Sequence, residues 1–367
     1  MTNWQSLPRR TIADRVAACW MRVEAAGLDA FWFLHPPDVR YLSGFTGEDT
    51  TLLLTRRRAL LITDSRYEEQ ADDEAEADEV VIRHKGMALT IAELCKGLGV
   101  RRLGLSSREV THADWETLTS ELPASQVAAG ESNPAHALRM RKGREEVEAI
   151  VAALRLAEEA FRRFAPSVEP GRSERWLAAS LEREMREGGA DGPAFPTICA
   201  AGARASMPHA VPGERELARN TALLVDWGAR LGGYSSDLTR LLCTGTMPRK
   251  VEELTQVVLQ AQEAAFRKAG PGVPCAEVDR ASRSVIARAG YGPFFGHSLG
   301  HGVGLEVHEG PRVGPGEEQV LLPGMVFTVE PGVYLPGVAG ARIEDVIVIT
   351  SGGFDRLSSL DSVPAAR

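Results

Sequence analysis

Apolar residues recur at helical spacing from Ile12 to Gly27, where Val16, Cys19, Trp20 and Val23 share one face and Gly27 supplies the stop. The pattern then shortens. Ala30 to Leu34 reads as a strand broken by Pro36-Pro37-Asp38. Thr51–Leu54 and Ala59–Ile62 read as a hairpin around Arg56-Arg57-Arg58. Val80–Ile82 and Leu103–Leu105 are further short strands, with helical patterns near 89–98 and 111–122. Strands alternating with helices predict a small α/β domain. Residues 68–79 carry eight acidic side chains, and a solvated helix face explains them better than a partner or cation site. Turn chemistry at Gly130-Glu-Ser-Asn-Pro134, followed by Arg139, Arg141, Lys142 and Arg144, sets the expected domains at 1–132 and 137–367.

Beyond this boundary a long amphipathic helix is expected over 145–164, with Val147, Ile150, Val151, Leu154, Phe161 and Phe164 on one face. The chain then repeats its own punctuation. Pro170-Gly171 opens a helix through Trp176, Leu177, Leu181 and Met185 that Gly188-Gly189 closes, before Gly192-Pro193. Pro271-Gly272 opens one through Val278, Val285 and Ile286 that Gly290 closes, before Gly292-Pro293. The Pro-Gly pairs lie 101 residues apart and the Gly-Pro pairs 100 apart. Each helix follows a longer one, at 145–164 and 248–269, and precedes strand-like runs. Two matched marks in one register indicate an internal duplication.

Composition narrows the class. Of 367 residues, 44% are hydrophobic and 25% charged, as in a globular protein with a substantial core. A net charge of −8 argues against nucleic-acid binding, and no apolar run has the length of a membrane span. The N-terminus lacks the apolar core of a secretory signal. Five scattered cysteines without a C-x-x-C suit reduced thiols in a cytoplasm.

The chemistry concentrates in residues 294–311. Three of the eight histidines, His297, His301 and His308, alternate there with Gly296, Gly300, Gly302 and Gly304. So many glycines preclude a stable helix. They predict a loop that carries imidazoles into a site, followed by a short strand from Val303 to Val307. His308-Glu309 continues as Gly-Pro-Arg, so the helical H-E-x-x-H of zinc proteases is absent. Gly300-x-Gly302 lacks the third glycine of a dinucleotide loop.

Carboxylates supply partners for these imidazoles. Thr221–Val225 reads as a strand ending in Asp226, and a four-residue loop at 230–233 would set Asp226 directly opposite Asp237. Like charges so placed repel, and a bound cation removes the penalty. The second repeat has the same plan, a strand ending in Glu330 and a returning strand opened by Glu344. Four carboxylates and one histidine exceed a single four-coordinate zinc. They suit two divalent ions, with Mn²⁺ the first expectation and Co²⁺ or Zn²⁺ the alternatives. Paired ions of this kind serve hydrolysis.

These segments resemble the pita-bread metallopeptidases, in particular the aminopeptidase P and prolidase branch. The resemblance rests on the run from His297 to Glu309, Asp226-Trp-Gly-Ala and Tyr234-Ser-Ser-Asp237-Leu-Thr-Arg240. It extends to Thr328-Val-Glu330-Pro-Gly, Arg342-Ile-Glu344-Asp345, Tyr41-Leu-Ser-Gly-Phe45 and Asp64-Ser-Arg-Tyr67. It implies an α+β architecture: a C-terminal pita-bread (creatinase/aminopeptidase) fold with a pseudo-two-fold αα-ββ repeat, plus a smaller N-terminal α/β domain.

By the same resemblance, Asp226 chelates one metal, His301 and Glu330 the other, and Asp237 and Glu344 bridge both. Glu330 relays the proton as general base and then acid. His209 and His308 stabilise the oxyanion, and His297 and Arg342 bind substrate, with Arg342 alternatively supporting Glu344 or its neighbours. Gly202-Ala-Arg-Ala departs from the family's lead-in to the first histidine.

The implied activity is cleavage before proline in proline-containing peptides, by an Xaa-Pro aminopeptidase or alternatively an Xaa-Pro dipeptidase. Arg312 is a candidate anchor for a dipeptide carboxylate, against the more common reading of a solvent-exposed arginine. A non-catalytic binding module and a metal-free creatinase-like C–N hydrolase are remoter readings that the intact ligand set disfavours. A methionine aminopeptidase is weaker because it lacks the N-terminal domain. The branch also implies a homodimer.

Overall fold

The computed structural model describes residues 3–130 and 133–361. It divides into two compact units, Arg10–Arg139 on one hand and the segment ending at Arg9 with the chain from Met140 on the other. The boundary expected at 132–137 stops short of this division because Pro134–Arg139 forms a last helix of the first unit. Among the described residues, no helix is long and apolar enough to cross a membrane.

In the unit Arg10–Arg139, helix α1 (Ile12–Ala25) opens on a capping box: the Thr11 hydroxyl accepts from the Asp14 N–H, and the Asp14 carboxylate accepts from the Thr11 N–H. Strand β1 (Ala30–Phe33) is wholly buried. The prolines that end this run also begin helix α2 (Pro36–Ser43), since proline is tolerated in a first helical turn where no N–H is needed.

Strands β2 (Thr51–Thr55) and β3 (Ala59–Thr63) form the expected hairpin, with Leu54 opposite Ala59. Helix α3 (Glu68–Glu74) carries much of the acidic run on an exposed face and leads into β4 (Glu79–Ile82). Helix α4 (Met87–Leu98), β5 (Leu103–Ser106), α5 (His112–Glu121), β6 (Val127–Gly130) and α6 (Pro134–Arg139) complete the unit. The six strands lie in the order β4-β3-β2-β1-β5-β6, over a core that includes Trp32, Leu53, Ile62, Ile91 and Leu105.

The unit from Met140 carries the repeat. Its first half holds α7 (Arg144–Phe164), α8 (Glu174–Glu187), β7 (Gly192–Pro193), β8 (Ile198–Ala201) and β9 (Ala222–Trp227). β10 (Ala229–Leu231), β11 (Tyr234–Ser235) and β12 (Leu238–Cys243) follow. The second half holds α9 (Arg249–Lys268), α10 (Cys275–Arg288), β13 (Gly300–Gly302), β14 (Glu309–Val313) and β15 (Val326–Val329). β16 (Gly332–Leu335), β17 (Ala339–Arg342), β18 (Asp345–Thr350) and β19 (Gly353–Arg356) end it.

The matched punctuation has a conformational basis. Gly171 and Gly272 both take positive φ ahead of α8 and α10, and Gly189 and Gly290 do so behind them. Sheet β12-β9-β8 in the first half corresponds, strand for strand, to β18-β15-β13 within the five-stranded sheet of the second. A bridge between Thr239 and Glu344 joins the two sheets.

Side-chain alternation places β9 between two helical layers. Leu223, Val225 and Trp227 pack with Ile150, Leu154 and Leu177 of α7 and α8, whereas Leu224 packs with Leu254, Val258 and Ile286 of α9 and α10. Trp227 stacks on Phe161 at 4.2 Å and donates from Nε1 to the Ala157 carbonyl at 3.0 Å, which fixes the strand end that carries Asp226.

The expected register needs correction. Gly232 and Gly233 both take positive φ, so the connection is a two-residue hairpin turn that pairs Leu231 with Tyr234. Asp226 therefore faces Thr239, not Asp237. The shift from the expected pairing is two residues, an even number, so Asp237 stays on the same sheet face as Asp226, one diagonal step away. The strand expected at Val303–Val307 is also absent. That segment is a bend between β13 and β14, and the extended backbone falls on the glycines instead.

Candidate active site

The two repeats deliver their acids at matching points. Asp226 is the next-to-last residue of β9 and Glu330 directly follows β15, while Asp237 and Glu344 directly precede β12 and β18. His301 lies at the middle of β13, which pairs with β15. Glycine is required beside it. A Cβ on Gly300 would overlap the Thr328 carbonyl, and one on Gly302 the Gly310 carbonyl. Gly300→Ala is therefore expected to lower stability by about 1–3 kcal/mol through overpacking, read as a lower thermal midpoint. An unchanged midpoint would show that β13 can move away from β15.

All ten residues singled out in the sequence as metal, catalytic or substrate candidates line one cavity of about 620 Å³: Asp226, Asp237, Glu330 and Glu344, with His209, His297, His301, His308, Arg312 and Arg342. His301 Nε2 lies 3.3 Å from Glu330 Oε1 and 3.6 Å from Asp237 Oδ2. Its Nδ1 faces the Gly302 carbonyl at 3.2 Å, so the Nδ1–H is engaged by backbone and Nε2 is the nitrogen turned toward the acids. Donor atoms of Asp237, His301 and Glu344 all fall within 4.8 Å of one another. The His308 ring stands edge-on to His301 at 4.1 Å.

The electrostatics are those of a cluster short of positive charge. Burial raises the Asp237 carboxyl well above its usual range, and Glu344, Asp226 and Glu330 push it further. Burial and the charges of Glu330 and Asp226 raise Glu344 in the same way. Asp226 is raised by burial more than Arg342 lowers it. Glu330 goes the other way: burial acts to raise it, but the hydrogen bond and charge of His301 outweigh that and leave it at about 2. His301 is raised, its desolvation overcome by the Glu330 carboxylate. Burial and the charge of His301 lower His308, which keeps it neutral near pH 7.

The donor set fits a pair of divalent cations. Four carboxylates, Asp237 and Glu344 buried and Asp226 and Glu330 half-buried, face the Arg342 guanidinium and the His301 imidazole, and the Asp226 Oδ1 atom is itself buried without a hydrogen-bond partner. An oxygen so stranded costs free energy unless a ligand satisfies it.

Three residues that the sequence reading passed over hold the acids in place. Thr239 Oγ1 donates to Glu344 Oε2 at 2.7 Å, and Thr328 Oγ1 donates to Glu330 Oε1 at 3.2 Å while accepting from the His301 N–H at 3.1 Å. Strand periodicity would have found both, since Thr239 lies two residues after Asp237 and Thr328 two before Glu330. Tyr334 had no such signal. Its hydroxyl accepts from Arg342 Nη1 at 2.8 Å and meets His297 Nε2 at 2.9 Å.

These contacts change two of the expected roles. Arg342 spends Nη2 on Asp226, Nη1 on Tyr334 and Nε on Thr239 at 3.0 Å, so its donors are turned to the protein and not to the open cavity. His297 has Nδ1 against the Ser298 carbonyl at 2.8 Å and Nε2 against Tyr334, so both ring nitrogens are engaged within the wall.

A model of metallopeptidase family M24 matches residues 148–351, and one of the creatinase/prolidase N-terminal domain matches residues 15–141. The chain belongs to metallopeptidase family M24. It is thus a peptidase of the pita-bread class, with the N-terminal domain that the Tyr41–Tyr67 segments suggested. An Xaa-Pro dipeptidase of Pyrococcus horikoshii is 36% identical over 91% of this chain and 93% of its own length. Among solved M24 structures, an Xaa-Pro dipeptidase from Bacillus anthracis superposes with a TM-score of 0.92 at 33% identity, covering 96% of this chain and 99% of that one. An X-Pro aminopeptidase from Thermotoga maritima gives 0.86 at 34% identity, with 93% and 98% covered. Membership of M24 implies divalent metal ions, as the donor set does.

Proposed function

We propose that this M24 chain is an Xaa-Pro dipeptidase that hydrolyses the bond before a C-terminal proline. The aminopeptidase reading placed first from the sequence gives way to its alternative. Relatives that span most of the chain carry the dipeptidase name, and the cavity has an anchor for a free carboxylate. That anchor, Arg312, is the observation that carries the choice. It pairs with His301 across β13 and β14, which sets both side chains on one sheet face. Of the two arginines lining the cavity, Arg342 has its donors committed internally, whereas the Arg312 side chain is 66% exposed and pairs through Nη1 only with the surface carboxylate of Glu317 at 3.5 Å, which a substrate carboxylate would have to displace. Its Nε is steadied by Ser298 Oγ at 3.0 Å.

Asp226 would hold one cation, His301 and Glu330 the other, with Asp237 and Glu344 shared between them. When bound, two divalent ions, Mn²⁺ the first choice, supply an activated water and offset the acids. Glu330 is ionised at neutral pH and oriented by Thr328 toward the centre, where it would take up a proton. His209 lies on the cavity wall and neutral His308 stands beside His301, each able to donate to a developing oxyanion. His297 shapes the wall and holds Tyr334 against Arg342. The homodimer expected from the resemblance and a cytoplasmic location belong to the same proposal, the second supported by cysteines that are all free.

The test is the ratio of kcat/KM on Xaa-Pro to that on Xaa-Pro-Yaa peptides with Mn²⁺ present. Dipeptides should be preferred. Loss of a hydrogen bond to a charged group is worth about 1.5–3 kcal/mol. Arg312→Ala should thus raise KM for the dipeptide by ~10–100-fold and leave kcat nearly unchanged. Equal or faster turnover of tripeptides would restore the aminopeptidase reading.

A further inference from the structure

The unit Arg10–Arg139 has a second convergence of ligand-type side chains, which nothing in the proposed reaction uses. His35 precedes α2, Asp38 lies in its first turn, Glu109 follows β5, and His136 is on α6. Two imidazole nitrogens face a single carboxylate oxygen: His35 Nδ1 is 3.6 Å and His136 Nε2 is 3.3 Å from Asp38 Oδ2. Glu109 Oε1 lies 3.5 Å from His136 Nε2. The donor atoms of His35, Asp38 and His136 all fall within 4.8 Å of one another.

These separations are long for hydrogen bonds and match those within a ligand shell. N–H···O bonds concentrate at about 2.9–3.0 Å. Ligands about 2.0–2.2 Å from a tetrahedral ion stand roughly 3.3–3.6 Å from each other. All three pairs fall in the second range. The carboxylates are already oriented from behind. Arg139 Nη1 donates to Asp38 Oδ1 at 2.7 Å, and Asn133 Nδ2 donates to Asp38 Oδ2 at 2.7 Å and to Glu109 Oε1 at 2.9 Å. The Asn133 amide cannot simply turn over, because its Oδ1 accepts from the Ala135 N–H at 2.9 Å. Each carboxylate oxygen has two lone pairs, so Asp38 Oδ2 keeps one directed at the imidazoles. Burial acts to raise Asp38, but His136, His35 and Arg139 outweigh it and keep the carboxylate ionised.

We propose that His35, Asp38 and His136, with Glu109 at the open edge, bind one divalent transition-metal ion of the zinc type, separate from the ions of the peptidase centre. Two imidazoles select against Mg²⁺ and Ca²⁺, which take oxygen shells. Bound there, the ion ties the start of α2 to the last helix of its unit.

The test uses the full-length protein, stripped with chelator and equilibrated with Zn²⁺ or Co²⁺, with metal content measured per chain and the Co²⁺ visible spectrum recorded. His136 is the safest position to change, because its side chain is 46% exposed. His136→Ala and His35→Ala should each bind one equivalent fewer than the wild type and lose the tetrahedral Co²⁺ bands of this site. Asp237→Asn, which alters the peptidase centre, should keep that equivalent. Metal content equal to wild type in either histidine variant overturns the site.

Discussion

Asp237→Asn is expected to lower kcat/KM on an Xaa-Pro dipeptide by ~10³-fold or more while raising the melting temperature of the metal-stripped protein. The first effect follows from the cluster. Asp237 lies against His301 and shares its donor group with Glu344, so its loss opens the centre between the two repeats. Metal stabilisation of transition-state charge is worth several kcal/mol, and each 1.36 kcal/mol is about tenfold in rate. The second effect has the opposite sign because, without metal, the carboxylate is a liability. Burial and three neighbouring acids raise its pKa above the unfolded value of 3.8. A group raised in this way contributes its stability below the unfolded pKa and loses it as pH rises through the folded one. The variant's advantage should therefore be greatest at neutral pH and vanish in acid. Added Mn²⁺ should reverse the order, since only the wild type gains fully from binding. Unchanged metal content in the variant would remove Asp237 from the ligand set.

Much of this site was legible because its chemistry is written at element ends. Asp226 and Glu330 end apolar strands, Asp237 and Glu344 begin them, and the repeat marks set the two hairpins in correspondence. Face alternation was legible too, which is why the misjudged turn at Gly232-Gly233 still left Asp226 and Asp237 on one surface. An odd slip would have separated them.

What escaped was of two kinds. Gly300 and Gly302 read as loop because glycine disfavours strands by propensity, whereas the tight approach of neighbouring carbonyls to β13 makes glycine the only residue that fits. Tyr334 and the His35–Asp38–His136 group escaped because their partners lie on other elements. Asp38 read as part of a strand break until the structure set it between imidazoles about a hundred residues apart.

Arg240→Ala is expected to cost about 3–5 kcal/mol, because it removes a buried charge that holds four backbone carbonyls as well as Asp345, a carboxylate that would keep only Arg356 and Ser358. Arg240 is wholly buried and every arm is engaged. Nη2 donates to Asp345 Oδ1 and to the Leu360 carbonyl, each at 2.8 Å, and Nε to the Asp361 carbonyl at 2.9 Å. Nη1 donates to the Glu344 carbonyl at 2.6 Å and the Thr239 carbonyl at 2.9 Å. For a unit of this size the loss corresponds to a fall of roughly 10 °C in melting temperature. Arg240→Lys should not rescue it, because an ammonium cannot reproduce the planar fork. The same guanidinium grips the backbone on both sides of the Thr239–Glu344 bridge that joins the repeats. Arg240→Ala should therefore weaken metal binding along with stability, although Arg240 is absent from the cavity wall. A variant with unchanged melting temperature and metal affinity would show that the bridge holds without it.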